Sequence, residues 1–462
     1  MRNISDELAI FVQEGAEYIK YLVATQSYDV AKYLVILAPI VTLWYYFFWR
    51  PFNYYRDFTD FGFQEAARKP PGKGSNVSKR NIINDMRSRR KLGELPPVYP
   101  NGWFIILESR ELLIEGSREV SCLGLALVAW RGKSGKSYVA DAYCPHLGAH
   151  LGVNGEVRDD CIKCPFHGWA FEGSNGKCVD IPYADSVPEF ARIKMWETVE
   201  MNGFIYLWYH AEGEKPNWQP DEMREIATGE WKYRGRSEFL ATCHIQEVPE
   251  NGADMSHLNV VHKPAMLSGG KPTEAKLTWG FLTHQWSGSW EANSNPELSH
   301  RALMTLTHRM CLFNKIPFME VNVQAHQVGP GTVYLRFKGF GGEGVLFFNV
   351  TPLEPLLMKI THTFYSSRSM LHPFGLLILL GEAIQLERDI AIWNRKTYIS
   401  RPLLTKEDKA IKAFRRWFSQ FYSSNSPRMS TAFNNPILPN PSVTTTPTSN
   451  GSIKLNPDNL SF

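Results

Sequence analysis

Two short stretches set a cysteine beside a histidine: Cys144-Pro-His146 and Cys164-Pro-Phe-His167, separated by seventeen residues between His146 and Cys164. Together they offer two thiolates and two imidazoles. Zinc takes two Cys and two His as well, but its fingers usually keep Cys with Cys and His with His on separate elements. One of each per loop argues instead for iron, as a [2Fe-2S] cluster in which one iron takes both cysteines and the other both histidines. Pro145, Gly148, Gly152, Pro165 and Gly168 fit a backbone that turns tightly and points amides at sulfur. Zinc, and packed loops in which Cys and His merely coincide, stand as alternatives. His150 and Cys161 fall outside the pattern and read as loop or packing residues.

A second constellation follows in IQEVPENGADMSHLNVVHKP, where Asn251, Asp254, His257 and His262 are spaced N-x-x-D-x-x-H-x-x-x-x-H. Two His and a carboxylate on one face of iron leave positions open for oxygen and substrate. Asp254 and His257 are three residues apart, hence neighbours on a helix. His262 lies five further on, about 140° round an ideal helix, so the helix is expected to bend or fray before Pro264. A solvated acidic helix with two surface histidines would show the same residues. The remaining histidines, His284, His308 and His362 among them, lack such spacing and read as structural.

The elements that must carry these loops can be read from composition and pattern. The chain has 462 residues, 44% of them hydrophobic, with a formal net charge of +4, too small at this length for a nucleic-acid surface. Seven scattered cysteines suit metal or redox chemistry better than stapling. YLVILAPIVTLWYYFFW, residues 33–49, is uncharged and covers roughly 26 Å as a helix, against roughly 30 Å of hydrocarbon, with Lys32 and Arg50 able to snorkel. Trp and Tyr, not small residues, close the run, so a retained transmembrane anchor fits better than a cleaved signal, and a buried core helix is the other reading. Basic residues crowd the segment after it (Arg50, Arg56, Arg68, Lys69), which places the following domains in the cytosol.

Residues 51–97, rich in Pro, Gly and basic residues, read as a linker. Short apolar runs between turn signals then predict an antiparallel β domain over 98–210 holding both Cys/His loops, and strand-like and helical runs predict an α+β domain over 211–428. Residues 429–462 read as a disordered tail. The fold class is thus α+β, with an N-terminal segment, residues 1–50, that carries the anchor.

The C-x-H…C-x-x-H pattern resembles the Rieske family. Respiratory members carry an extra cysteine in each loop, where this chain has Ala149 and Phe166, and a ferredoxin would end before Asn251. The resemblance is therefore to the Rieske-type non-haem iron oxygenases, and CPHLGAHLGVNGEVRDDCIKCPFHGWAFEGSNGKC with the apolar N-terminus looks like the animal cholesterol 7-desaturases, the Neverland group. That likeness implies a helix-grip-like catalytic domain, Cys144, His146, Cys164 and His167 on the cluster, and His257 and His262 on a mononuclear Fe(II). It implies that Asp254 bridges to a cluster histidine of a neighbouring subunit in a homotrimer. It also implies desaturation of cholesterol to 7-dehydrocholesterol in ecdysteroid-type hormone synthesis, with O₂ and NAD(P)H-derived electrons delivered by a separate reductase or ferredoxin, at a single-pass endoplasmic reticulum membrane. A hydroxylase of another steroid or apolar substrate is the alternative.

A third iron ligand, a carboxylate, should then come from later in the chain, on a rigid helix with an apolar inward face. EAIQLERDIAIWNRK is such a helix: Asp389 lies within the pattern of Ile384, Leu386, Ile390 and Trp393, while Glu382, Glu387 and Arg388 can reach water more readily. Asp389 also occupies the liganding place in the resembling ketosteroid hydroxylase block. The plainer reading is a surface aspartate paired with Arg388.

Overall fold

The computed structural model describes residues 12–21, 28–63, 79–265, 281–339 and 341–432. Runs of alternating apolar residues build eighteen strands among them. Eleven belong to the N-terminal half: β1 (Phe52–Arg56), β2 (Gly102–Glu108), β3 (Ser117–Cys122), β4 (Leu125–Arg131), β5 (Ser137–Asp141), β6 (Glu156–Arg158), β7 (Cys161–Lys163), β8 (Ala170–Glu172), β9 (Cys178–Asp180), β10 (Thr198–Met201) and β11 (Phe204–Tyr209). Seven longer strands follow: β12 (Trp231–Ala241), β13 (Leu282–Ala292), β14 (Arg301–Leu312), β15 (Ile316–Val328), β16 (Thr332–Gly339), β17 (Gly342–Glu354) and β18 (Leu357–Ser367). The helices of two turns or more that matter here are α1 (Tyr28–Phe48), α2 (Lys79–Ser88), α3 (Met255–Val261), α4 (His372–Trp393) and α5 (Lys409–Phe418).

The first domain holds three small sheets, ordered β10-β11-β2, β3-β4-β5 and β6-β7-β8-β9. The second is one eight-stranded sheet, β1-β12-β18-β17-β16-β15-β14-β13. Alternation gives that sheet two different faces. Thr351 and Thr363 turn to the first domain, donating to Ile105 O at 2.8 Å and to Glu108 Oε1 at 3.1 Å. Phe348 and His362 turn the other way, under α4, which buries Leu379, Ala383, Leu386, Ile390 and Trp393.

Three sequence expectations need correction. Residues 51–97 are not simply a linker: β1 runs parallel to β12, pairing Phe52 with Gly235 through Arg56 with Phe239, and Phe58, Phe63 and Ile83 form a small buried cluster. The approach of β1 demands glycine at 235, since a Cβ there would sit 2.3 Å from Phe52 O. Arg90 continues the docking, bonding to the carbonyls of Thr242, Trp393 and Lys396. Glu387 and Arg388, expected to reach water, are both buried. Tyr54 donates to Glu387 Oε1 at 2.5 Å, tying β1 to α4, and Arg388 turns inward to backbone carbonyls.

α1 covers most of the apolar run, and Val35, Ile36, Leu37, Ile40, Val41 and Trp44 on it are exposed. Among the described residues no helix is long and apolar enough to cross a membrane. The expected tail lies, from residue 433 on, outside the described residues.

Candidate metal centres

The two Cys/His loops leave β5 and β7 and have the same backbone form. Gly148 N–H donates to Cys144 O at 2.9 Å and Gly168 N–H to Cys164 O at 3.1 Å; Cys144 N–H donates to Ala149 O at 2.9 Å and Cys164 N–H to Trp169 O at 2.8 Å. Both glycines have positive φ, 72° and 79°, which closes each turn. The loops bring Cys144 and Cys164 together in a buried cluster with Leu151, Ile162 and Phe171. Above them the rings of His146 and His167 stand 4.7 Å apart at 70°, and His146 stacks on Trp169 at 4.8 Å. Trp169 in turn donates to Tyr183 OH at 2.9 Å.

Two observations test whether this donor set fits a cluster. His146 Nδ1 is buried without a hydrogen-bond partner, an orphan that a metal would satisfy. Burial pushes the Cys144 thiol up to about 11, the His146 backbone amide opposing and the neighbouring Cys164 reinforcing it. A buried thiol held so far from ionisation needs a metal to exist as a thiolate. The four side chains fit a two-iron cluster.

His257, His262 and Asp389 also meet: their ligand atoms all lie within 4.8 Å of one another. Asp254 caps α3, its Oδ1 accepting from Ser256 N at 3.1 Å and His257 N at 3.2 Å. The helix ends at Val261, leaving His262 at its C-cap with φ −101° and ψ 6°, the break expected before Pro264. That break swings the His262 ring to 5.1 Å from His257.

The outer ring nitrogens set the tautomers. His262 Nδ1 is 2.6 Å from Gln385 Oε1, and His257 Nδ1 meets Asp254 O. An Nδ1–H donor to each oxygen turns both Nε2 atoms toward the triad, where His262 Nε2 is 3.2 Å from Asp389 Oδ2 and a metal would replace the proton they share. Gln385 is itself held by Arg388 Nη1 at 3.2 Å, and Arg388 grips Pro264 O and Ala265 O at 2.8 and 3.0 Å. In the metal-free protein burial lowers the pKa of His257. Burial works against charge on His262 too, but the Asp389 carboxylate and hydrogen bonds to Asp389 and Gln385 outweigh it and raise its pKa. Two imidazoles and one carboxylate fit a divalent iron with open positions.

Gln385 was not singled out from sequence, and Arg388 was read there only as a solvent-facing residue or a partner of Asp389. Gln385 stands one turn before Asp389 on the same face, and that spacing was the available signal. Asp254 lies beside His257 with its side chain 31% exposed, so it faces outward from the metal triad.

A cavity of about 450 Å³ opens beside the triad, within the roughly 300–1,000 Å³ of small-molecule sites. Leu306, Val323, Leu335, Phe337 and Phe348 give it an apolar floor, with α3 and α4 along its other side. His284 and His308, expected to be structural, line it as well, joined at 2.5 Å and stacked beside Trp286.

The Rieske [2Fe-2S] domain family matches residues 102–191, and the 3-ketosteroid 9alpha-hydroxylase C-terminal domain family matches residues 207–422. The chain is 46% identical over 402 residues to cholesterol 7-desaturase nvd of Xenopus laevis, covering 86% of each chain. It is 44% identical over 360 residues to cholesterol 7-desaturase nvd of Drosophila melanogaster, covering 77% of this chain and 83% of that one. Among solved structures, dicamba monooxygenase bound to 3,6-dichlorosalicylic acid superimposes with a TM-score of 0.54 at 16% identity, over 71% of this chain and 98% of the other. The QL mutant of NdmA of Pseudomonas putida with theobromine gives 0.52 at 16%, over 70% and 94%. At such identity these two show the shared fold alone.

Proposed function

We propose that this chain, which belongs to the cholesterol 7-desaturase family of Rieske oxygenases, removes one hydrogen from each of carbons 7 and 8 of cholesterol, giving 7-dehydrocholesterol. The overall balance is one sterol, O₂, NAD(P)H and a proton going to the diene, NAD(P)⁺ and two waters. The observation that carries this reading is the apolar cavity with His257, His262 and Asp389 at its wall.

Cys144, His146, Cys164 and His167 would hold the [2Fe-2S] cluster, and His257, His262 and Asp389 the mononuclear iron. When bound, these groups supply single electrons and the activation of O₂. The chain's own residues do the rest. Gln385 and Arg388 fix the His262 ring, Asp254 O fixes His257, and Leu306, Val323 and Phe348 exclude water from the substrate. The outward carboxylate of Asp254 supports its role as a bridge toward the cluster of a neighbouring subunit in a homotrimer. Electrons would reach that cluster from a separate reductase or ferredoxin, as is usual in this family.

Membrane attachment belongs to the same proposal. The exposed apolar side chains of α1 and the basic residues after it support a single-pass anchor, in the endoplasmic reticulum, with both metal domains cytosolic. His372 Nε2 meets Arg50 O at 2.8 Å, which links the end of the α1 segment to the start of α4 beside the cavity.

Incubating purified full-length protein with cholesterol, O₂, NAD(P)H and a ferredoxin–reductase couple tests the reaction. A conjugated diene sterol supports it. A hydroxysterol would move the enzyme to the hydroxylase alternative.

A further inference from the structure

We propose that His362 receives the single hydroxyl of the sterol and so decides which end of the molecule lies against His257, His262 and Asp389. The inference rests on the sterol reading above and adds to it a residue that determines orientation.

His362 lies on β18, 1% exposed, and lines the cavity. Both of its ring nitrogens are buried and neither has a hydrogen-bond partner. Its cross-strand neighbours are Phe348 on β17, with ring centroids 4.7 Å apart, and Ser237 on β12, whose Oγ is likewise buried and unpartnered. Buried polar groups are ordinarily paired, because an unmade hydrogen bond leaves the full desolvation cost standing. A fully buried imidazole with both nitrogens unmet, in an apolar wall, calls for a polar atom delivered by something else.

Three other polar atoms along the cavity are also unmet, His284 Nε2, Trp286 Nε1 and Gln327 Nε2, but each offers one unmet atom, whereas His362 offers an unmet donor and an unmet acceptor on one ring. His284 Nδ1 is joined to His308, Gln385 to His262 and Arg388, and Gln327 Oε1 accepts from Trp290 Nε1 at 3.4 Å. Burial also keeps His362 neutral, its pKa pushed down to about 3. A neutral imidazole carries one donor and one acceptor, and can therefore meet a hydroxyl from either side. Cholesterol is hydrocarbon apart from one hydroxyl, so one such partner in an apolar cavity is what orients it.

The test uses full-length holoprotein as wild type, His362→Leu and His362→Gln, with cholesterol and its 3-deoxy analogue as substrates. Wild type should prefer cholesterol by at least about tenfold in kcat/KM. His362→Leu should lose that preference, mainly through KM for cholesterol, with turnover of the deoxy analogue undiminished. His362→Gln, which keeps a donor and an acceptor, should retain part of it. The melting temperature of His362→Leu should not fall, since the substitution removes an unpaired polar group. An unchanged preference in His362→Leu, or equal losses on both substrates with a lower melting temperature, would overturn the inference and leave a packing role. Wild type inactive on cholesterol would instead overturn the sterol reading, and this orientation with it.

Discussion

His262 Nε2 stands 3.2 Å from Asp389 Oδ2 although the two residues lie 127 positions apart, one at the frayed end of α3 and the other deep in α4. Such a contact between an inward ring nitrogen and a buried carboxylate is what a metal ligand pair needs. Asp389→Ala should therefore lose the mononuclear iron and product formation while the cluster spectrum is untouched. Metal analysis with visible absorption checks this; full iron and activity, with the loss appearing in Glu387→Ala or Glu382→Ala, would move the ligand to a neighbour.

Gln385→Leu removes the acceptor that holds His262 in its tautomer. Iron affinity should weaken by about 10–100-fold, with the cluster intact. Titration of apo-protein with Fe(II) under anaerobic conditions reads the effect, and excess iron should restore much of the activity.

Asp254 serves α3 as its cap and, by proposal, the electron path as a charge. Asp254→Asn should keep the cap, whereas Asp254→Ala should cost roughly 0.5–2 kcal/mol of stability. Both should leave a reduced cluster that fails to reoxidise with substrate and O₂ in single turnover. Normal reoxidation in Asp254→Asn would end the bridging role.

The buried His244 makes stability pH-dependent. Its Nε2 meets Pro97 O at 3.0 Å, its Nδ1 accepts from Gln246 N at 3.2 Å, and burial pushes its pKa down from 6.5 to about 4. The unfolded chain takes up the proton first as pH falls, so the stability present above 6.5 is lost between 6.5 and 4, by about 3 kcal/mol at the lower end. Denaturant melts across that window should show the slope, and His244→Gln should reduce it by its share, leaving what other buried histidines such as His362 contribute.

Removing residues 1–50 should release the protein from membranes and leave both metal sites loaded, because β1 begins at Phe52. A deletion continuing through residue 63 should unfold the edge of the large sheet, since it takes β1, Phe58 and Phe63 with it. Sedimentation with washed membranes and iron content distinguish the two.

What the sequence disclosed follows from how locally each feature is encoded. The Cys/His loops and the Asp254–His262 run are set by spacings of a few residues, and the break before Pro264 follows from helix geometry. Asp389 was legible from one apolar face of a helix. Arg388 was misread because a charged residue defaults to solvent, whereas three carbonyls from the end of α3 and the turn after it, more than a hundred residues earlier, hold it inside. β1 was misread because five residues of FNYYR within a basic, Pro-rich stretch carry little strand signal, and its partner β12 lies far along the chain. His362 could not be separated from other histidines until the sheet showed which face it lines.

The central claim is that the chain takes two hydrogens from the sterol and adds no oxygen to it. Turnover of cholesterol under ¹⁸O₂, followed by mass spectrometry of the sterol, tests it most directly. The account predicts 7-dehydrocholesterol free of the label, with the label recovered in water; labelled oxygen at carbon 7 as the main product would contradict it.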